Sequence, residues 1–354
     1  MQLDWLKPLT SLDGPFACAT LDASNLDPVT RSRRLAAWGS ARRELGRRGA
    51  DDETLAVLEE AVTDPAGAGE RTRVVCASQG HLVLDVGMDG RPRRESSSFG
   101  PVPRLMEVVR GLDGKETHAV VRLDREGADI EVIDPNGAIV TATDVTGEHD
   151  ELRKVGAGGA SQRRFQARAE DSWKHNANQI AAELDRLVRR LRLGAVFLEG
   201  EEHMASYLVE QASGPTAELL VRLDTGGRAA GTSETAEASA RDAALARRRV
   251  ERDARLLERF GDAKGAGSTV EGWSAVTEAV ARAQVAHVLL HPDVWDGEPE
   301  APAVSEPTSG ERDPNALIWS LAPVGAEISL VAQPFDAKDG VAAILRWNDA
   351  STPD

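Results

Sequence analysis

The sequence predicts a three-domain protein of the α/β and α+β classes, and three observations carry that reading. At 354 residues the chain is too long to bury itself around one core. Strand-like alternation and helix-like periodicity succeed each other along it, most regularly in the middle, as expected of a mixed, partly parallel sheet. Only 4% of residues are aromatic against 41% hydrophobic overall, so packing has to rest on Leu, Val and Ala. The boundaries fall at residues 1–113, 114–245 and 246–354.

The first segment opens with "DGPFACATLDAS", apolar and strand-like, followed by a helical run over 27–48. A second helix covers "DDETLAVLEEAVTD", with Asp51 or Asp52 as N-cap and Asp64-Pro65 as its stop. "RVVCAS" and "HLVLDVGM" form a hairpin across Gln79-Gly80. The second segment begins with strands in "THAVVRLDREGADIEVIDPNGAIVTAT", turning at "DREG" and "DPNG". A glycine-rich loop leads into a helix over 163–191. Its apolar positions Phe165, Ala169, Trp173, Ala177, Ile180, Leu184, Leu187, Val188 and Leu191 step by three and four. At about 1.5 Å per residue it is roughly 43 Å long. A strand "AVFLEG", a helix "EEHMASYLVEQA", a strand "TAELLVRLD" and a small-residue stretch over 225–236 follow. A charged helix over 237–260 bridges into the third segment. There "VEGWSAVTEAVARAQ" reads as helix, and "VAHVLLH", "EISLVAQ" and "VAAILRW" read as strands. The Pro/Glu/Ser-rich stretch at about 293–315 reads as a mobile surface insertion.

Composition and charge narrow the function. No stretch approaches the ~20 apolar residues of a membrane span, and the first residues lack a secretory pattern, so a cytoplasmic protein without a membrane partner is expected. Cys18 and Cys76 are far apart without a C-x-x-C and read as buried free thiols. With 42 Lys+Arg against 58 Asp+Glu the net charge is −16, which repels nucleic acid from the body as a whole and leaves no case for DNA binding. Any RNA contact has to come from local basic patches, and two stand out. Residues 152–175 hold six Lys/Arg against Glu170 and Asp171. Residues 31–48 hold Arg31, Arg33, Arg34, Arg42, Arg43, Arg47 and Arg48 against Glu44 alone.

The loop "VGAGGASQRR" has two readings. One is a plain spacer with Ser161 as N-cap. The other is a tip whose paired glycines let backbone approach a polyanion, with Arg163, Arg164 and Arg168 at the positive end of the helix dipole. It is no P-loop, since the G-x-x-x-x-G-K-[ST] spacing is missing. Nor is it a Rossmann turn or a G-x-S-x-G elbow. His287 and His291 are spaced H-x3-H but lie on a β run, which sets them ~13 Å apart with no third ligand, so no metal is expected. No cofactor is expected either.

"GGASQRRFQARAEDSWKHNANQIAAEL" resembles the central-domain tip and following helix of the eukaryotic and archaeal translation termination factors and their relative Pelota. The matching residues are Gly158, Gly159, Gln162, Arg164-Phe165, Arg168, His175-Asn176 and Ala182-Glu183. "VAHVLL" and "DGVAAILRW" resemble strands of that family's third domain, so the likeness runs over about 115–350. Ala160 and Ser161 separate the glycines from Gln162. That spaced form resembles the bacterial branch, the Balon-like ribosome hibernation factors of actinobacterial type, and the eukaryotic relative that cleaves peptidyl-tRNA on stalled large subunits.

The resemblance implies a tRNA-mimicking, release factor/Pelota-like architecture whose central mixed sheet bears the Gly-Gly-x-Ser-Gln loop. It implies a hibernation or stress factor in the ribosomal A site. The 156–164 loop would face the peptidyl-transferase centre, and elongation factor Tu would be a partner beside P-site tRNA. RNA contacts would come from Gly158, Gly159, Ser161, Gln162, Arg163, Arg164 and Arg168 toward 23S rRNA, and from Arg31, Arg34, Arg42 and Arg43 on the decoding side toward 16S rRNA. The alternative is a peptidyl-tRNA hydrolase or rescue factor acting through Gln162. There the two inserted residues move the glutamine by ångströms, where ~1 Å costs about 100-fold in rate. A third reading is a scaffold that binds another protein through its acidic face.

Overall fold

A computed structural model describes the chain except residues 25–27, 64–70, 136, 147–158, 224–233, 296–311, 333–334, 350–351 and 353–354; the side chains of 159–172, 234–235 and 294–295 also fall outside the description. The chain divides into two compact units, one made of residues 1–114 and 249–354 and the other of residues 115–248. Among the described residues the fold is mixed α/β with three sheets.

In the first unit, β1 (Phe16–Asp22) leads to α1 (Pro28–Arg47) and α2 (Asp52–Thr63). They are followed by β2 (Arg71–Ser78), β3 (His81–Asp89), β4 (Ser96–Gly100) and α3 (Met106–Leu112). The four strands form an antiparallel sheet in the order β3-β2-β1-β4. Asp51 caps α2, its carboxylate accepting from Thr54 N and Oγ1 at 2.8 Å each. The β2–β3 turn is a two-residue hairpin with both residues at positive φ, Gln79 at 50° and Gly80 at 72°. At Gly80 a Cβ would also lie 2.6 Å from the Glu53 carboxyl carbon, so a side chain there would displace Glu53.

The second unit runs β5 (His118–Leu123), β6 (Gly127–Ile133), β7 (Ile139–Thr146) and α4 (Gly159–Leu191). Then come β8 (Ala195–Gly200), α5 (Glu202–Gln211), α6 (Gly214–Ala217), β9 (Leu220–Arg222) and the start of α7 (Glu234–Gly265). Its sheet has the order β7-β6-β5-β8-β9. Antiparallel pairs lie on the β7 side and parallel pairs join β8 to β5 and β9. Alternation along β8 shows the two faces. Val196 and Leu198 pack under Ile180, Leu184 and Leu187 of α4, while Ala195 and Phe197 meet Ala244 of α7.

The chain returns to the first unit along α7 and adds β10 (Thr269–Glu271), α8 (Trp273–Ala281), β11 (Val285–Leu290), α9 (Pro314–Val324), β12 (Glu327–Leu330) and β13 (Val341–Leu345). The sheet order is β10-β13-β11-β12, with only β11 and β12 parallel. One hydrophobic cluster joins the two ends of the sequence: Phe16, Cys18, Met88 and Val109 share it with Trp273, Ile318, Val288 and Ala343. Phe16 meets Trp319 edge-on with ring centroids 5.5 Å apart. Polar contacts reinforce the join. Asn315 Oδ1 accepts from Leu105 N at 2.9 Å and Met106 N at 3.0 Å, so α9 caps α3. Asp113, fully buried, accepts from Leu330 N at 3.1 Å and lies 3.3 Å from Arg249 and 3.4 Å from Arg252.

Four expectations need correction. Cys18 and Cys76 are not free thiols. They sit directly opposite each other in the β1–β2 register, Cα atoms 4.1 Å apart, and form a disulfide. The long central helix begins at Gly159, not Arg163, so Gly159–Gln162 belong to its first turn. "TAELLVRLD" yields strand only at Leu220–Arg222, because Gly214–Ala217 coils into α6, with Ser213 and Thr216 hydroxyls donating to Asp185 of α4. Val270 and Glu271 belong to the edge strand β10 and not to a helix, paired with β13, and Gly272 caps α8. Three elements had no expectation: β4, α3 and α9. The small-residue stretch at 225–236 falls mostly, and the stretch at 293–315 largely, outside the described residues.

Candidate functional site

The candidate site begins where α4 leaves the sheet of the second unit. Ala177, Ile180, Ala181, Leu184 and Leu187 are buried on one stripe, the 3.6-residue period laid against β5, β6 and β8. At the last described turns the contacts turn polar and aromatic. Arg125, in the β5–β6 turn, places its guanidinium 5.6 Å from the Trp173 ring centroid. His203 of α5 stacks on the same ring at 6.3 Å with planes 23° apart. Asn176 is buried and donates from Nδ2 to Arg125 O at 3.4 Å. Lys174 lies over the Tyr207 ring at 5.7 Å. The helix is therefore clamped at Trp173 and Asn176 by the β5–β6 turn and α5. From that clamp to Gly159 it continues for 14 residues, about 21 Å of rise.

Of the residues expected at the tip, Gly158 lies outside the described residues. Gly159, Ser161, Gln162, Arg163, Arg164 and Arg168 lie on α4 with their side chains outside the description. What α4 fixes is their backbone. The first turn of an α-helix leaves its N–H groups without intrahelical partners, an electropositive end that suits an anion. The motif residues nearer the sheet are resolved into two kinds. Asn176 is structural, holding α4 to the β5–β6 turn, while its neighbour His175 is exposed, with Nε2 3.3 Å from Gln179 Nε2. Glu183 pairs with Arg186 one turn on, which pulls its carboxyl below the usual range, the hydrogen bond from Arg186 being the largest cause.

The second patch, on α1, is divided by its burial. Arg31, Arg42 and Arg43 are exposed; Arg42 reaches Glu59 of α2 at 3.3 Å, and Arg43 donates to Gly39 O at 3.1 Å. Arg34 is not on the open surface: it is 3% exposed and its Nη1 reaches Ala23 O at 3.4 Å. Helical phase explains this, since Arg34 shares the inward stripe with Trp38, Ala41 and Leu45. Arg47 and Arg48 both pair with Glu44.

Sequence reasoning passed over a third group. The β3–β4 connection "GRPRRES" brings Arg91, Arg93 and Arg94 beside Arg33 and Arg34 around a cavity of about 290 Å³. The run R-P-R-R was itself the available signal.

His287 and His291 do not form a metal site. His287 faces Ser329 on β12, Nε2 to Oγ 3.0 Å, with Nδ1 3.2 Å from Glu327 and 3.0 Å from Arg259. Burial pushes its pKa down, while the hydrogen bond from His287 is the main cause holding Glu327 at about 2. Among the described residues no group of three His, Cys, Asp or Glu is placed to hold a metal ion, and no helix is long and apolar enough to cross a membrane.

With this geometry in view, the comparisons with known proteins are specific. Residues 117–266, which contain the sheet of the second unit, α4 and the whole of α7, match the family described as bacterial archaeo-eukaryotic release factor family 2. Over that segment the chain is similar to the bacterial archaeo-eukaryotic release factors. Over its whole length it is similar to the Mycobacterium tuberculosis proteins Rv2629 and MT2704, at 26% identity over 369 residues, covering 98% of this chain and 97% of theirs. Among solved structures, an archaeal translation termination factor aligns over 97% of this chain and 96% of its own, at 14% identity and TM-score 0.26. Archaeoglobus fulgidus Pelota aligns over 78% and 80%, at 15% identity and TM-score 0.36. The archaeal Pelota of a ribosome-bound complex with ABCE1 aligns over 96% and 92%, at 14% identity and TM-score 0.41.

Proposed function

We propose that this protein is a ribosome-binding hibernation or stress factor that occupies the A site and presents the head of α4 to the peptidyl-transferase centre. The observation that carries the reading is the release-factor family match over the segment where α4, clamped at Trp173 and Asn176, carries "GASQRR" at its N-terminal end. Arg163, Arg164 and Arg168 supply charge for 23S rRNA phosphates beside the open N–H groups of the first turn. Arg31, Arg42 and Arg43 supply a second patch for 16S rRNA. P-site tRNA and elongation factor Tu complete the expected surroundings.

Salt-graded co-sedimentation with 70S particles tests this. Wild type should pellet with ribosomes at low salt, and Arg163→Glu/Arg164→Glu should lose at least tenfold in occupancy. Undiminished pelleting of the double variant sinks the proposal.

The enzymatic reading keeps one observation in its favour, the glutamine that follows the glycine pair after two intervening residues and directly precedes the arginines. Stalled nascent-chain complexes separate the two readings. Peptide release that disappears in Gln162→Ala establishes a peptidyl-tRNA hydrolase; occupancy without release supports hibernation.

A further inference from the structure

We propose that the surface joining the β5–β6 turn, α4 and α5 is a stacking site for unpaired nucleotides of RNA. It rests on the ribosome reading only for the source of that RNA, and it is a contact beyond those of Arg163, Arg164 and the α1 arginines.

Three elements of the second unit bring rings and cations together there. Trp173 and Lys174 are neighbours on α4, and His203 and Tyr207 lie four residues apart on one side of α5. Arg125, from the β5–β6 turn, sits 5.6 Å from the Trp173 ring centroid, and Lys174 sits 5.7 Å from that of Tyr207. His203 stacks on Trp173 at 6.3 Å with planes 23° apart. Trp173 and Tyr207 are half-buried, whereas Arg125, Lys174 and His203 are exposed. The rings therefore form a surface that runs out to solvent and is edged by cations.

Two observations set this patch apart from ordinary packing. Met204, Ala205 and Leu208 already bury α5 in the core it shares with α4, so His203 and Tyr207 are not needed to seat it. In a chain with 58 acids against 42 Lys+Arg, Arg125 and Lys174 meet rings and, among the described residues, form no ion pair. Acids are close in sequence: Asp124 and Glu126 flank Arg125, and Glu201 and Glu202 precede His203. Asp124 accepts from Glu126 N and Gly127 N at 2.8 Å each, and Glu201 caps α5 by accepting from His203 N at 2.8 Å and Met204 N at 3.2 Å. With four acids so near, the patch has no strong positive field with which to track phosphates. What it offers is π surface, which any base can use whatever its identity, and ordered cations beside it. Paired bases keep their faces inside the helix, so the site selects single strands.

An abasic strand, which keeps the phosphates and lacks the bases, isolates the stacking contact. Full-length protein is titrated by fluorescence anisotropy with a labelled, unstructured ten-nucleotide RNA, with an abasic strand of the same length, and with the RNA annealed to its complement. Single-stranded RNA should bind roughly fivefold or more tighter than either of the other two. That ratio should hold from about 50 to about 200 mM salt, because counterion release concerns the phosphates alone. His203→Ala should bring RNA down to the abasic level. His203→Phe, which keeps a ring at the same place, should retain the ratio, and so should His81→Ala, an exposed histidine of the first unit. Equal affinity for RNA and abasic strand means phosphate contact only and overturns the proposal. So does a ratio untouched by His203→Ala, a ratio lost in His203→Phe as well, or no binding of single-stranded RNA at all. These titrations use free protein and do not depend on Arg163 or Arg164. Failure here leaves the 70S experiment standing, and failure there leaves an RNA-binding patch whose source of RNA is not the ribosome.

Discussion

Single residues show how far the same side-chain type diverges with its surroundings. His287 is buried and its pKa is pushed below the ordinary 6.5, chiefly by desolvation; Glu327 is held near 2 instead of 4.5, chiefly by the hydrogen bond from His287. Both folded values lie below the unfolded ones. As pH falls below about 6.5 the unfolded chain takes a proton at position 287 that the folded chain refuses, and below about 4.5 another at 327. Stability of the first unit should therefore be full at pH 7 and fall progressively toward pH 3. His287→Gln should flatten the part of the urea-midpoint profile between pH 6.5 and 5, and an unchanged slope there would refute the assignment. Cys18 and Cys76, 58 residues apart in sequence, stitch β1 to β2. Loop-closure entropy puts the contribution at about 4 kcal/mol. Cys18→Ser should lower the urea midpoint of non-reduced protein, and adding reductant to wild type should reproduce much of that fall.

At the scale of elements, α4 is the part on which the site depends. Its buried stripe is an ordinary amphipathic pattern, but where the clamp falls is set by partners from two other elements, Arg125 and His203. Trp173→Ala removes the ring between them and should cost about 1–2 kcal/mol. It should also raise amide exchange over 159–175 while leaving 180–191 protected, because those later residues are held by the core. Exchange that rises evenly along all of α4 would show that the clamp is not a separate anchor. The helix start at Gly159 also bears on the spacing of the motif. Within the helix Gln162 lies about one turn from Gly159, and Ala160 and Ser161 between them are taken up as helical rise.

For the whole molecule, sequence order and spatial units part company. The outer two segments bury one common cluster and exchange the contacts of Asp113 and Asn315, so residues 1–114 and 249–354 form one unit with 115–248 inserted between them. Residues 1–114 produced alone would expose the face of β1 and β2 that carries Phe16, Cys18 and Val74. That fragment should bind a hydrophobic dye and unfold without a cooperative transition. Residues 115–248, with a core of their own, should unfold cooperatively even though α7 is cut at Arg248. A cooperative 1–114 fragment would contradict the shared core.

By itself the sequence determined the class of the fold and most of its elements, since strand alternation, helical stripes, the Gln79-Gly80 turn and the Asp51 cap are local patterns. It also singled out the segment that the family match covers and the α1 arginines. Only the tertiary structure decided that Cys18 faces Cys76, that Arg34 turns inward, that Asn176 is an anchor, and that Arg33 lines one cavity with Arg91, Arg93 and Arg94. Each of those depends on strand register or on elements distant in sequence coming together. Short elements such as β4 and α9 carry too little periodicity to announce themselves, because neighbours supply most of their stability. Periodicity encodes which face of an element is buried; what that face meets is fixed only when the chain closes on itself.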